Sequence, residues 1–182
     1  MSLLQRLEKR EKGLLTRVER VKRLIASGHF DAAEDDRLWL ESFTKDKTGL
    51  DICSGDMLSG DNSLGVDPDH GVIGTDYLLE GDNLSFAKHG EYDYIISNYF
   101  DAFPAPLKAL NEWHRALKLG GIVAFICCNS ESYSDTMGPL TNKKRQSCQT
   151  KDTINFYLNR AGFADVQIDK HEKMLRCYAK KP

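Results

Sequence analysis

Gly49-Leu50-Asp51-Ile52-Cys53-Ser54-Gly55-Asp56, followed closely by Ser63-Leu64-Gly65-Val66-Asp67-Pro68-Asp69, decides the fold. Each stretch is a short apolar run that stops at an acid and small or turn-forming residues. Residues 50–53 predict one strand. Residues 63–66 predict a second, stopped by Asp67-Pro68-Asp69. Downstream, Tyr92-Asp93-Tyr94-Ile95-Ile96-Ser97 predicts another strand, and residues 106–117 a helix with Leu107, Leu110, Trp113 and Leu117 inward. Lys118-Leu119-Gly120-Gly121 reads as the turn into residues 122–128, an unbroken apolar run of the kind found in strands covered on both faces. Residues 151–161 predict a helix closed by Gly162, and residues 163–168 and 174–179 a hairpin. Upstream, residues 32–43 predict a short helix with Leu38, Trp39 and Phe43 inward. Residues 131–149 are polar and read as a loop, ordered over the site or mobile. Strands alternating with helices argue an α/β fold with a doubly wound, mostly parallel sheet and a C-terminal antiparallel hairpin. Such sheets bind ligands beyond the carboxyl ends of their strands, so the residues just after each strand are the ones to read.

The chain of 182 residues divides into an amphipathic helical arm over residues 1–30 and one domain over residues 31–182. In the arm, Leu4, Leu7, Leu14, Val18, Val21 and Ile25 recur at three- and four-residue steps, with Glu11 at the one polar position, and Ser27-Gly28-His29 ends the pattern. This stripe lies across the domain's own sheet or zips two copies into a homodimer. The arm holds eight Lys/Arg against three Glu, a net of +5, which leaves −7 of the total −2 for the rest. Hydrophobic residues at 41% and charged residues at 29% fit a soluble globular protein, and no apolar run approaches a membrane span. The start leads into charge and not into a secretory core, so the expected place is the cytoplasm. The five cysteines make no C-x-x-C and read as free thiols in a reducing compartment; the five histidines show no metal spacing, and no metal site is expected.

Four features fall in the order that chemistry at strand ends requires. Asp51 closes the first strand before a loop of small residues, where Gly55 lets a ligand approach the backbone. No G-x-G-x-x-G follows, which argues against a pyrophosphate-binding dinucleotide site. Asp67 ends the second strand, where a carboxylate can accept from both hydroxyls of a ribose, or serve only as a turn residue before Pro68. Gly81-Asp82-Asn83-Leu84-Ser85-Phe86 fits the loop after a third strand, where a carboxylate and backbone N–H can read an adenine edge. Residues 116–121 form a helix end and turn.

From Gly49 to about Cys128 the chain resembles the class I S-adenosylmethionine-dependent methyltransferases, in particular the small branch with L-D-x-G-x-G-x leading shortly to G-V-D. The stretch Leu110-Asn111-Glu112-Trp113-His114-Arg115-Ala116-Leu117-Lys118-Leu119-Gly120-Gly121 is similar to that class's helix and L-K-P-G-G turn. The resemblance implies a Rossmann-like fold and S-adenosylmethionine as cofactor. It implies that Asp51 holds the amino group of the methionine moiety and that Cys53, Ser54, Gly55 and Asp56 line it. It further implies that Asp67, with Pro68, binds the ribose, that Asp82, Asn83 and Leu84 face the adenine, and that Ser97 and Asn98 edge the amino-acid part and the acceptor. Cys53 stands where the class carries glycine, Leu119 where it carries proline, and Phe100-Asp101-Ala102-Phe103 where many relatives carry L-E-H-L.

The cofactor supplies the activated methyl, and the protein's task is to align the acceptor with it. Candidate bases are Tyr99 and Asp101, with His70 and Tyr133 behind them; His114, mid-helix, reads as a packed or surface residue. The expected acceptor is a small molecule or glycan. Nucleic acid is the variant, carried by the basic arm and by Asn98-Tyr99-Phe100, an echo of N-P-P-F/Y without its prolines; the acidic body disfavours it. The competing reading is a non-catalytic cofactor-binding or assembly subunit with a degenerate glycine loop.

Overall fold

The computed structural model describes residues 32–55, 58–60, 62–69, 75–132 and 149–182. The expected arm helix, Asp56, His70 and Tyr133 lie outside them. Six strands, β1 (Gly49–Ile52), β2 (Ser63–Val66), β3 (Tyr92–Ser97), β4 (Leu117–Cys128), β5 (Ala164–His171) and β6 (Met174–Lys180), form one sheet in the order β2-β1-β3-β4-β6-β5. Pairs β1·β2, β1·β3 and β3·β4 are parallel; β4·β6 and β6·β5 are antiparallel. This is the expected α/β sheet with its C-terminal hairpin.

Helices α1 (Ala32–Glu41), α2 (Pro106–Ala116) and α3 (Lys151–Arg160) cover it. Proline opens α2, where its missing N–H costs nothing. Thr150 caps α3 by accepting from the Thr153 N–H at 3.1 Å. Period-2 alternation divides the core. Leu50, Ile52, Val66, Ile95, Val123 and Phe125 meet Leu110, Trp113, Ile154 and Leu158 of α2 and α3. Tyr94, Ile96, Ile122, Ala124 and Ile126 face the other way, onto Leu40 of α1. Leu40, not Leu38, is the buried leucine of α1, and Leu38 is exposed.

Two further expectations change. Residues 118–121 are not a free turn. They extend β4, because Leu117 pairs with Tyr92 and because Gly120 and Gly121 exchange backbone hydrogen bonds with Lys181 at 2.9 and 2.8 Å. The Lys181 ammonium, buried, donates to the carbonyls of His114 and Leu117 and so caps the end of α2. The strand expected before Gly81 is reduced, among the described residues, to one bridge between Val66 and Tyr77. The Tyr77 ring stacks on Phe86 at 3.7 Å beside β2.

No helix separates β1 from β2 among the described residues. Small residues, Gly49 of β1 and Ser63 and Gly65 of β2, lie in these two strands. A Cβ on Gly49 would collide with Tyr94, whose hydroxyl bonds the Ser63 hydroxyl at 2.7 Å.

Candidate functional site

The carboxyl ends of β1, β2 and β3 gather around Cys53. Its thiol is pushed up strongly, first by burial and then by the carboxylates of Asp67, Asp51, Glu80 and Asp101.

Asp51 is 1% exposed, under the loop that follows β1. Its Oδ2 accepts from the Ser59 N–H at 2.7 Å. Burial pushes its carboxyl up to about 6, and the Arg37 guanidinium and the Ser59 hydrogen bonds pull the other way. Asp67 ties the two loops together: Oδ2 accepts from the Gly55 N–H at 3.2 Å and Oδ1 from the Asp69 N–H at 2.9 Å. Pro68 beside it is exposed. Each carboxylate oxygen has a second lone pair, so both acids retain acceptor capacity.

Cys53 has φ +56 and Gly55 φ +58. The left-handed region favours glycine, so Cys53 carries strain at the very position where glycine was expected. A Cβ on Gly55 would meet nothing within 4 Å, which leaves the space over this loop open. The Ser54 hydroxyl is buried and has no hydrogen-bond partner among the described residues. A buried polar atom without a partner is costly, and a bound ligand is one way to supply it.

The second loop is held differently. The Trp113 indole N–H donates to the Gly81 carbonyl at 2.7 Å. Arg115 donates to the Ala87 and Leu84 carbonyls, both at 2.9 Å. A Cβ on Gly81 would collide with Ile52 and Phe103. Within this loop the carboxylates part company. Asp82 pairs with Lys108 of α2 at 2.9 Å, Asn83 is exposed and Leu84 is fully buried. Glu80 acts on the Cys53 thiol. Glu80 is marked in the sequence only as an acid immediately before Gly81, two residues nearer the Tyr77 bridge than Asp82.

At the end of β3, the buried Ser97 hydroxyl accepts from the Tyr99 N–H at 3.3 Å, and Asn98 and Tyr99 are half-buried. Asp101, in the short 3-10 turn Phe100–Ala102, is fully buried. His114 packs edge-on against Phe163, away from these tips, and burial lowers its pKa. Among the described residues no group of side chains gathers to hold a metal ion. Cys53, Cys127, Cys128 and Cys177 are free thiols. No described helix is long and apolar enough to cross a membrane.

No protein-family profile matches the sequence, and no curated protein matches it. Solved structures do. A Thermotoga maritima S-adenosylmethionine-dependent methyltransferase superposes with a TM-score of 0.67 at 17% identity, over 91% of this chain and 96% of its own. One from Archaeoglobus fulgidus gives 0.66 at 14%, over 82% and 92%. A Haloferax volcanii methyltransferase structure, solved with the Trm112 activator, gives 0.63 at 15%, over 93% and 97%. The fold is that of the class I S-adenosylmethionine-dependent methyltransferases.

Proposed function

We propose that this chain is an S-adenosylmethionine-dependent methyltransferase acting on a small-molecule or glycan acceptor in the cytoplasm. The observation that carries the reading is the Asp67 carboxylate at the tip of β2 reaching the Gly55 N–H of the loop after β1, next to the buried Asp51 and a buried Ser54 hydroxyl without a partner among the described residues. An acidic floor suits a ligand that is cationic at sulfur and at its amino group.

In this reading Asp67 accepts from the ribose hydroxyls while keeping its backbone bonds. Glu80, with the backbone of Gly81 to Leu84, faces the adenine. Asp51 attracts the amino group from below, and the Ser54 hydroxyl gains its missing partner. When bound, the cofactor supplies a methyl group on a sulfonium, ready for in-line displacement. The protein's own work is to fix the acceptor on that line and to exclude water. Tyr99 is the side chain of the β3 tip that can reach an acceptor. Asp101, being fully buried, serves the floor of the site instead. Away from the basic arm the chain is net acidic, which disfavours a nucleic-acid acceptor.

Calorimetry with S-adenosylmethionine and S-adenosylhomocysteine tests the reading. Micromolar binding of both is expected, weakened about 30-fold by Asp67→Ala, the loss of roughly 2 kcal/mol of hydrogen bonding to a charged group. Absence of binding by either compound would favour an assembly subunit.

A further inference from the structure

We propose that the groove between α1 and the C-terminal hairpin is the docking surface for the apolar stripe of the chain's own arm, residues 1–30, which lie outside the described residues. This is independent of the reaction. A sheet of this kind needs cover on both faces. On one face α2 and α3 close the core as far as Ile168 of β5. On the other, among the described helices, α1 gives the cover. Its Leu40 meets β3 and β4 through Tyr94, Ile96, Ile122, Ala124 and Ile126. Between α1 and β5 a groove is left. It is lined by Trp39 and Phe43 of α1, Tyr178 of β6, and Asp165, Gln167 and Asp169 of β5, among others. The rings form one apolar wall: Trp39 meets Phe43 edge-on at 5.0 Å, and Phe43 stacks on Tyr178 at 5.3 Å. All three are half-buried.

The chain reaches this groove without a detour. Residues 26–31 separate the stripe from Ala32, a length that joins two antiparallel helices. The start of α1 is pinned near the turn of the hairpin. Asp36 accepts from Arg176 Nε at 2.7 Å and meets His171 Nδ1 at 3.0 Å; Asp35 meets Arg176 Nη2 at 2.6 Å and His171 Nε2 at 3.1 Å. A helix returning from that point runs beside α1 and over β5. The lengths agree: the stripe from Leu4 to Ile25 spans about 33 Å as a helix, and the eight residues of β5 about 26 Å. Ile25, Val21, Val18 and Leu14 therefore meet the groove, and Leu4 and Leu7 run past its end. The charges agree as well. The arm carries a net of +5, with Arg17, Arg20, Lys22 and Arg23 around Val18 and Val21. Arg176 is spent on Asp35 and Asp36, which leaves Asp165, 3.6 Å from Lys180, and Asp169 as the acids of the rim. An amphipathic helix draws most of its stability from the surface its stripe covers, and Glu11 and Gly13 make this one a poor zipper for a second copy.

The test reads Trp39 on the full chain. The chain has two tryptophans and Trp113 is fully buried, so a quencher in water reports Trp39. A double variant, Val18→Asp with Val21→Asp, should shift the accessible emission to the red and strengthen its quenching by acrylamide. It should also lose the helical circular dichroism of roughly twenty residues. Its mass by light scattering should stay that of one chain, as in the wild type. Unchanged quenching of Trp39 in this variant overturns the proposal. So does a wild-type mass of two chains that falls to one in the variant, since the arms would then zip two copies together. Gln167→Arg guards against a double variant that fails to fold, because Gln167 is exposed and a guanidinium there opposes the basic arm without touching the core. Stronger quenching of Trp39 in Gln167→Arg supports docking, and unchanged quenching overturns it.

Discussion

Two loops beyond the strand ends are held by opposite means. The loop from Glu80 to Ala87 is clamped by donors from α2, the Trp113 indole and the Arg115 guanidinium, reaching backbone carbonyls, with Gly81 wedged between Ile52 and Phe103. None of those acceptors titrates. The loop from Cys53 to Gly60 is held by acceptors, the carboxylates of Asp51 and Asp67, reaching backbone N–H groups. Those carboxylates are also the groups a ligand would address. One loop is therefore built into the core, and the other is held by carboxylates.

The largest way to break this contrast is at Gly81. Gly81→Ala places a methyl against Ile52 and Phe103, and overpacking of this kind costs about 3 kcal/mol. Urea denaturation should show the loss, whereas Gly55→Ala, with nothing near its Cβ, should cost only the strain of its positive φ. Equal losses at the two glycines would erase the distinction.

The next effect is electrostatic. The Asp51 carboxyl is raised from 3.8 to about 6 by burial. Between those values the folded chain holds a proton that the unfolded chain has released. Stability should therefore fall as pH rises through this window, by up to about 3 kcal/mol. Asp51→Asn keeps an acceptor for the Ser59 N–H and should flatten that slope, raising Tm at pH 8 while weakening S-adenosylhomocysteine. A slope that persists in Asp51→Asn assigns it elsewhere. The smallest effect is at Cys53, where φ is +56. Cys53→Gly should relieve the left-handed strain and stabilise the chain by about 1 kcal/mol, read as a Tm rise of a few degrees. A fall in Tm would mean that packing of the thiol outweighs the strain.

The same contrast explains what the sequence made legible. The residues of β2 and β3 were readable to their ends, because continuous apolar runs bounded by turn residues leave little choice. Asp67 was readable as the acid at a strand tip. Residues 118–121 were not, since the partner that straightens them is Lys181, sixty residues on. Asp82 and Glu80 could not be ranked from sequence, because the choice depends on Lys108 drawing Asp82 toward α2. Arg37 carries no mark in the sequence; its bond to the Ser54 carbonyl exists because strands at the far end of the chain clasp α1.

A crystal structure of the chain with S-adenosylhomocysteine tests the central idea most directly. The account predicts the ribose on Asp67, the adenine toward Glu80 and Gly81, and the homocysteine over Ser54 and Gly55 with its sulfur facing Tyr99. A ligand bound outside the strand ends, or a crevice closed over Cys53 by the chain's own side chains, would contradict it.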